Sequence, residues 1–364
     1  AKRIYNLVKE AEELSIEERI NKIATIFSYF HNPDKETVLT PWRVVNMHMS
    51  ETVGGWCFFN KEFDAPYTEK NKYQEEVHCA RYLEHVDMTE DSEGKKRRVN
   101  VTEDIFKDYN TRILEINSKT GLYPLYMAYS VFKTVKEKKF REIGLTEERG
   151  NQKGSEEYST QVINDQEIWK DVLQDNIFVI CRTEMAVSIT KRTLAGFKSW
   201  RTNVKCYTHD ISVNELIAAN VIQSSDKDVT KNGENYLYQG LETKNCDMTT
   251  LLRVNSAPFK QDVVKGEDFW QVYNAIPKSP NEDINNMKFK AIVGNPPYQV
   301  IDGGAGASAV PVYNKFFDVA KDLNPSYLSM IMPSRWMTGG RGLDTFRTEM
   351  INDTHISFLG DYIN

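Results

Sequence analysis

The chain predicts an open α/β protein with a mostly parallel sheet, and three observations predict it. Short apolar runs recur as RILEI (112–116), NIFVI (176–180), VKCYT (204–208), FKAIV (289–293), YLSMIM (327–332) and ISFLG (356–360). Helical patterns at about 122–139, up to about Leu194, at 312–322 and at 342–351 fall between several of them, and strands alternating with helices build parallel sheets. With 364 residues, 40% of them hydrophobic, there is enough apolar surface for one large core or two smaller ones. In such sheets ligands sit at the carboxyl ends of the strands.

Ahead of this series, residues 1–30 read as helix, with Ser15 and Glu18 forming a capping box before IEERINKIATIFSYF. His31-Asn-Pro-Asp34 ends it. Thr40-Pro41 has the grammar of an N-cap followed by proline in the first turn, and Gly54-Gly55 closes that helix. Residues from about 60 to 105 are charged and irregular. Polar stretches at about 145–165 and 222–260 read as insertions. The expected organisation is an N-terminal helical segment over 1–60, a connector over 61–110, and a core over 111–364.

Composition excludes several classes. No run of about 18 apolar residues occurs, and Lys2, Arg3, Lys9 and Glu10 do not make a signal peptide, so a soluble cytoplasmic protein without a membrane partner is expected. Cys57, Cys79, Cys181, Cys206 and Cys246 lack metal-ligand or disulfide spacing, and no metal is expected. The net charge of −6 does not announce a nucleic-acid binder, but charge is local. Lys191, Arg192, Lys198, Arg201 and Lys205 lie in a stretch free of acids, and Lys95-Lys-Arg-Arg98 forms a second run. Each is either a solvated face or a phosphate contact.

The chemistry concentrates in KAIVGNPPYQ (290–299). Gly294 at the strand end allows close packing or an unusual backbone angle. Asn295 precedes a proline and is pushed toward extended geometry, while Pro296 and Pro297 lack N–H groups and fix φ. The result is a stiff set of acceptors with no local donor. Asn295 adds a side-chain carbonyl and Tyr298 a flat ring, which suits an exocyclic amine on an extruded base.

An Asn-Pro-Pro-Tyr sequence after an apolar strand resembles the catalytic motif of the S-adenosylmethionine-dependent amino methyltransferases, above all the N6-adenine DNA methyltransferases. The resemblance implies a Rossmann-like class I methyltransferase sheet, S-adenosylmethionine as cofactor and double-stranded DNA as partner. It implies that Asn295 and the Pro296 carbonyl accept from the target amine, with Pro297 in the same turn, and that Tyr298 stacks on the base. VLTPWRVVNMHM (38–49) resembles the family's first cofactor motif, which would put Thr40 and Pro41 beside the methionine end; alone it is equally a helix start. ILEINSKTGLYPLYMA (113–128) sits where the family places its nucleoside-binding turn, implying cofactor roles for Glu115, Ile116, Asn117, Ser118 and Gly121. Asp210 in THDIS would meet the cofactor's adenine. Lys191, Arg192, Lys198 and Arg201 are the candidate DNA contacts. The wording of LEINSKTGLYP and PSRWMTGGRGLDTFR resembles methylases of restriction–modification systems, including those fused to a nuclease.

Two positions depart from the family. Lys119 stands where the first loop glycine is expected, and Cys181 stands where an acid meets the ribose, with Glu184 as a substitute three residues on. Two rivals therefore stay open: a glutamine methyltransferase acting on a release factor, which shares Asn-Pro-Pro-Tyr, and a non-catalytic DNA-binding relative. The glycines of GGAGASAVPVY (303–313) would let a segment close over a base. Ala1 in place of methionine, and an end within ISFLGDYIN, lead to the expectation of an excised piece. Its target-recognition domain and any nuclease would lie outside it.

Overall fold

The computed structural model describes residues 2–29, 39–90, 95–107, 110–142, 164–181, 184–206, 288–300 and 310–361. In chain order the N-terminal part comprises helices α1 (Lys2–Glu10), α2 (Ile16–Ser28) and α3 (Trp42–Thr52). Short strands β1 (Gly55–Cys57), β2 (Thr68–Lys70), β3 (Glu76–His78), β4 (Arg81–Leu83), β5 (Val86–Glu90) and β6 (Lys96–Asn100) follow. Helix α4 (Val101–Phe106) then leads to β7 (Ile113–Ser118), α5 (Leu122–Glu142), α6 (Asp165–Asp175), β8 (Ile177–Cys181), α7 (Glu184–Ala195) and β9 (Asn203–Cys206). The remainder is β10 (Ala291–Gly294), β11 (Gln299–Val300), β12 (Val310–Pro311), α8 (Tyr313–Asp322), β13 (Tyr327–Met330) and α9 (Asp344–Asn352).

Five strands form one parallel sheet in the order β13-β10-β7-β8-β9. Every residue of β7, β8 and β10 is buried, as interior parallel strands covered on both faces require. The chain runs outward from β7 to β9 in one direction and from β10 to β13 in the other. A crevice therefore opens between the carboxyl ends of β7 and β10, where the winding reverses. Gly294 makes the neighbouring strands fit: a Cβ there would stand 2.9 Å from the Ile116 carbonyl oxygen.

The capping box forms as the sequence requires, with Glu18 N–H donating to Ser15 Oγ at 3.3 Å and Ser15 N–H donating to Glu18 Oε2 at 3.1 Å. It separates α1 from α2, so residues 1–30 are not one helix. The buried face of α2 carries Arg19, whose guanidinium donates to the carbonyls of Arg192, Thr193 and Leu194. These are end carbonyls of α7, and of the three the Arg192 oxygen also accepts a main-chain bond, from Gly196 N–H. One buried cation thus docks the N-terminal helices on the core.

Three expectations need correction. Thr40 is not the N-cap of α3: Pro41 holds that position in extended conformation, no side chain caps the helix, and Trp42 is its first residue. Residues 55–90 and 95–100 carry the antiparallel pairs β1 with β4, β2 with β3 and β5 with β6. Apart from β1, whose Gly55 and Cys57 are buried, their faces are largely exposed, so apolar alternation is absent. Residues 356–360 do not form a sixth strand, because no described strand takes their backbone, and Ile356, Phe358 and Leu359 are exposed. Residues 145–163 and 222–260, Asp210 and most of the glycine-rich loop fall outside the described residues.

Candidate catalytic crevice

Strand β7 runs on past Ile116 into the crevice, with a register irregularity against β8 between Ile116 and Ser118. Asn117 adopts φ 71° there, a left-handed conformation that asparagine tolerates better than most side chains. Its amide Nδ2 donates to the main-chain oxygen of Asn295 at 3.2 Å. Ser118 Oγ accepts from Gly121 N–H at 3.0 Å and closes the turn. Gly121, at φ 78°, lets this loop pack on α7, since a Cβ there would stand 3.1 Å from the Thr190 methyl. The loop is tight despite Lys119.

Asn295 is only 7% exposed. Its side-chain Nδ2 donates to Thr40 Oγ1 at 2.9 Å, and its Oδ1 is buried with no hydrogen-bond partner. The carbonyls around it divide sharply. Gly294 O accepts from Ile331 N–H, Asn295 O from Asn117, and Tyr298 O from Val312 N–H. No donor among the described residues reaches Pro296 or Pro297. Burial raises the Tyr298 phenol above its ordinary range, partly offset by the Asn295 amide. Two acceptors, Asn295 Oδ1 and Pro296 O, therefore wait in one rigid loop without donors, and a buried acceptor left so is costly unless a ligand completes it.

Glu115 lies beneath this loop, 4% exposed, and its Oε2 also lacks a partner. Burial pushes its carboxyl up to about 8, opposed by the Ser118 hydroxyl and the Lys119 charge. Between α2, the start of α3 and residues 58–78 lies a cavity of about 560 Å³, which Thr40, Pro41, Trp42, Thr120 and Leu122 also border. That volume is in the range of small-molecule sites.

A buried network locks the elements carrying these groups. Thr52 donates to the His48 carbonyl oxygen, so its hydroxyl accepts from Ser329 Oγ at 2.8 Å. Ser329 must then accept from His48 Nε2–H at 2.9 Å, which leaves Nδ1 to accept from the Tyr123 hydroxyl at 2.9 Å. His48 is thereby a neutral imidazole in one tautomer, and burial holds its pKa at about 4. It joins α3, α5 and β13 around the crevice.

Of the residues singled out from sequence, the fold gathers Thr40, Pro41, Glu115, Ile116, Asn117, Ser118, Gly121, Asn295, Pro296, Pro297 and Tyr298 at one edge of the sheet. Cys181 ends β8 on that edge but is 0% exposed, with its Sγ 3.6 Å from Thr190 Oγ1. Lys191 and Arg192 lie in the last turns of α7, whose Thr190 and Thr193 touch Ser118 and Thr120 of the crevice loop. Lys198 and Arg201 lie in the loop entering β9, which sits at the opposite edge because β8 and β9 are parallel. Arg192 donates to the Gly196 carbonyl and stacks 4.1 Å from the Phe197 ring centroid. The Asn117 and Thr40 contacts and the His48 network join residues 178, 255 and 281 positions apart, so no local pattern announces them.

An open, parallel five-stranded sheet with a crevice where its winding reverses is the architecture of a Rossmann-like α/β protein. The model of the Eco57I restriction-modification methylases matches residues 175–364, more than half of the chain, and the chain belongs to that family. An "Uncharacterized adenine-specific methylase" of Mycoplasma pneumoniae (strain ATCC 29342 / M129 / Subtype 1) is 42% identical over 59 residues. That match covers 16% of this chain and 14% of the relative. No helix among the described residues is long and apolar enough to cross a membrane.

Proposed function

We infer that the chain transfers a methyl group from S-adenosylmethionine to the exocyclic N6 amine of an adenine in double-stranded DNA, as the methylating part of a restriction–modification system. One observation carries the reading: the unpartnered Asn295 Oδ1 beside the donor-free Pro296 carbonyl, two acceptors matched to the two hydrogens of an NH2 group.

The residues fit the cofactor on one side and not on the other. Pro41 and Thr120 would hold its methionine end, since the cavity they border has the right size; Glu115 does not line that cavity, and its unpartnered Oε2 lies under the Asn295 loop. At the ribose the family's acid is replaced by the buried thiol of Cys181, which offers no carboxylate. When bound, the cofactor supplies an electrophilic methyl group on a sulfonium.

This chain's own contribution is positioning and electrostatics. The adenine amine is a weak nucleophile because its lone pair is delocalised into the ring. Acceptance of both its hydrogens by Asn295 Oδ1 and Pro296 O would favour a tetrahedral nitrogen with a localised pair. The fixed φ of Pro296 and Pro297 keeps those acceptors from turning away. Tyr298 offers a ring on which an extruded base can stack. After transfer the nitrogen returns one proton to solvent.

The test is incubation of the protein with tritiated S-adenosylmethionine and unmethylated duplex DNA, with release factor as a parallel substrate. Label in N6-methyladenine is expected. Label on release factor alone would make the protein a glutamine methyltransferase. No label on either, with no calorimetric binding of millimolar cofactor, would leave a non-catalytic DNA-binding relative.

A further inference from the structure

We propose that Thr40 is a positioning residue for Asn295, its hydroxyl setting which end of the side-chain amide faces the crevice. This rests on the methyl-transfer reading above and assigns Thr40 a task different from bordering the cofactor.

An asparagine amide can sit in either of two orientations that differ only by exchange of oxygen and nitrogen. Here the choice decides function. With Nδ2 on Thr40 Oγ1 at 2.9 Å, Oδ1 is left free as an acceptor. Turned over, the amide would aim N–H groups at the place where an amine brings its own hydrogens, donor against donor. The free orientation is not the one that Asn295 would choose unaided, since a buried carbonyl without a partner is costly. Thr40 supplies the close bond that holds it, and the Tyr298 phenol lies on the same amide.

The rest of the residue cannot move to evade this. Asn117 pins the Asn295 main-chain oxygen, and Pro296 restricts its backbone. Thr40 is itself anchored. It directly precedes Pro41 and Trp42 at the start of α3, and the Trp42 ring packs against Phe58 at 5.4 Å and Tyr126 at 6.3 Å between centroids. Further along the same helix, His48 ties α3 to Tyr123 and Ser329. Thr40 lies one residue before the N-cap Pro41, and its hydroxyl is turned to Asn295 while no side chain caps α3.

Thr40→Val keeps the shape and removes the acceptor, while Thr40→Ser keeps the acceptor. Three measurements on the whole protein separate the roles: kcat on mixed-sequence unmethylated DNA, the Kd for S-adenosylmethionine by calorimetry, and hydrogen exchange of the Asn295 side-chain amide by NMR, assigned by its loss in Asn295→Ala. For Thr40→Val we expect kcat to fall about 10–100-fold with Kd nearly unchanged, as for loss of a positioning group. The amide should exchange faster, and Thr40→Ser should restore both. A weaker Kd with intact kcat would overturn the proposal and make Thr40 a cofactor contact, and so would an unchanged exchange rate. If the wild-type protein labels no DNA, the methyl-transfer reading falls, and amide exchange alone decides the proposal: faster exchange in Thr40→Val supports it, an unchanged rate overturns it.

Discussion

Glu115 gives a prediction whose sign and size both follow from its surroundings. It is buried under the Asn295 loop, and burial lifts its carboxyl from the ordinary 4.5 to about 8. The unfolded chain releases this proton near pH 4.5, while the folded chain keeps it until about pH 8. The stabilisation from the protonated group is therefore fully present below pH 4.5 and is lost as pH rises through 8. At about 1.36 kcal/mol per tenfold change in proton affinity the separation corresponds to about 5 kcal/mol. Relaxation and water entry around the buried charge lower this, so about 2–5 kcal/mol is expected. Glu115→Gln preserves the shape and cannot titrate. Urea unfolding of both proteins at pH 5, 7 and 9, followed by circular dichroism, isolates the effect, because all other groups cancel in the difference. The wild type should lose about 2–5 kcal/mol relative to the variant between the lowest and highest pH. Parallel stability profiles would refute the argument and mean that the carboxylate is solvated or paired.

Three further predictions follow from neighbouring residues. Asn295→Ala should abolish methyl transfer to DNA while the calorimetric Kd for S-adenosylmethionine stays nearly unchanged; a variant keeping most of its rate would mean that the amine is held elsewhere. In Gly294→Ala the new Cβ meets the Ile116 oxygen at 2.9 Å, so β7 and β10 must part, at about 1–3 kcal/mol in urea unfolding. His48, held neutral with its pKa at about 4, binds its proton in the unfolded chain first, so its stabilisation is lost as pH falls from 6.5 towards 4. His48→Gln should flatten the acid side of the stability profile by up to about 3 kcal/mol, measured by the same unfolding experiment.

The parts of the molecule legible in the sequence are those governed by contacts close along the chain. The Ser15 and Glu18 box forms between residues three apart, and the apolar runs at 113–118, 177–181 and 291–294 become interior strands because their burial is written in their composition. Asn295-Pro-Pro-Tyr298 is legible for the same reason, since proline stiffens its own turn whatever surrounds it. The strand pairs β2 with β3 and β5 with β6 were not, because strands exposed on their faces carry no hydrophobic alternation and are held chiefly by pairing. ISFLG carries strand-forming residues, yet a strand exists only when a neighbour accepts its backbone, and none among the described residues does.

Sequence alone determined which atoms could receive an amine: a side-chain carbonyl and proline carbonyls stripped of local donors. Only the tertiary structure decided which of them remain free. It sent Asn117 to one carbonyl and Thr40 to the amide nitrogen, and it left Oδ1 of Asn295 without a partner. It also carried Lys198 and Arg201, in the loop entering β9, to the far edge of the sheet. The physical reason is that hydrogen-bond satisfaction and strand direction belong to the folded whole, whereas propensity and proline stiffness belong to the residue.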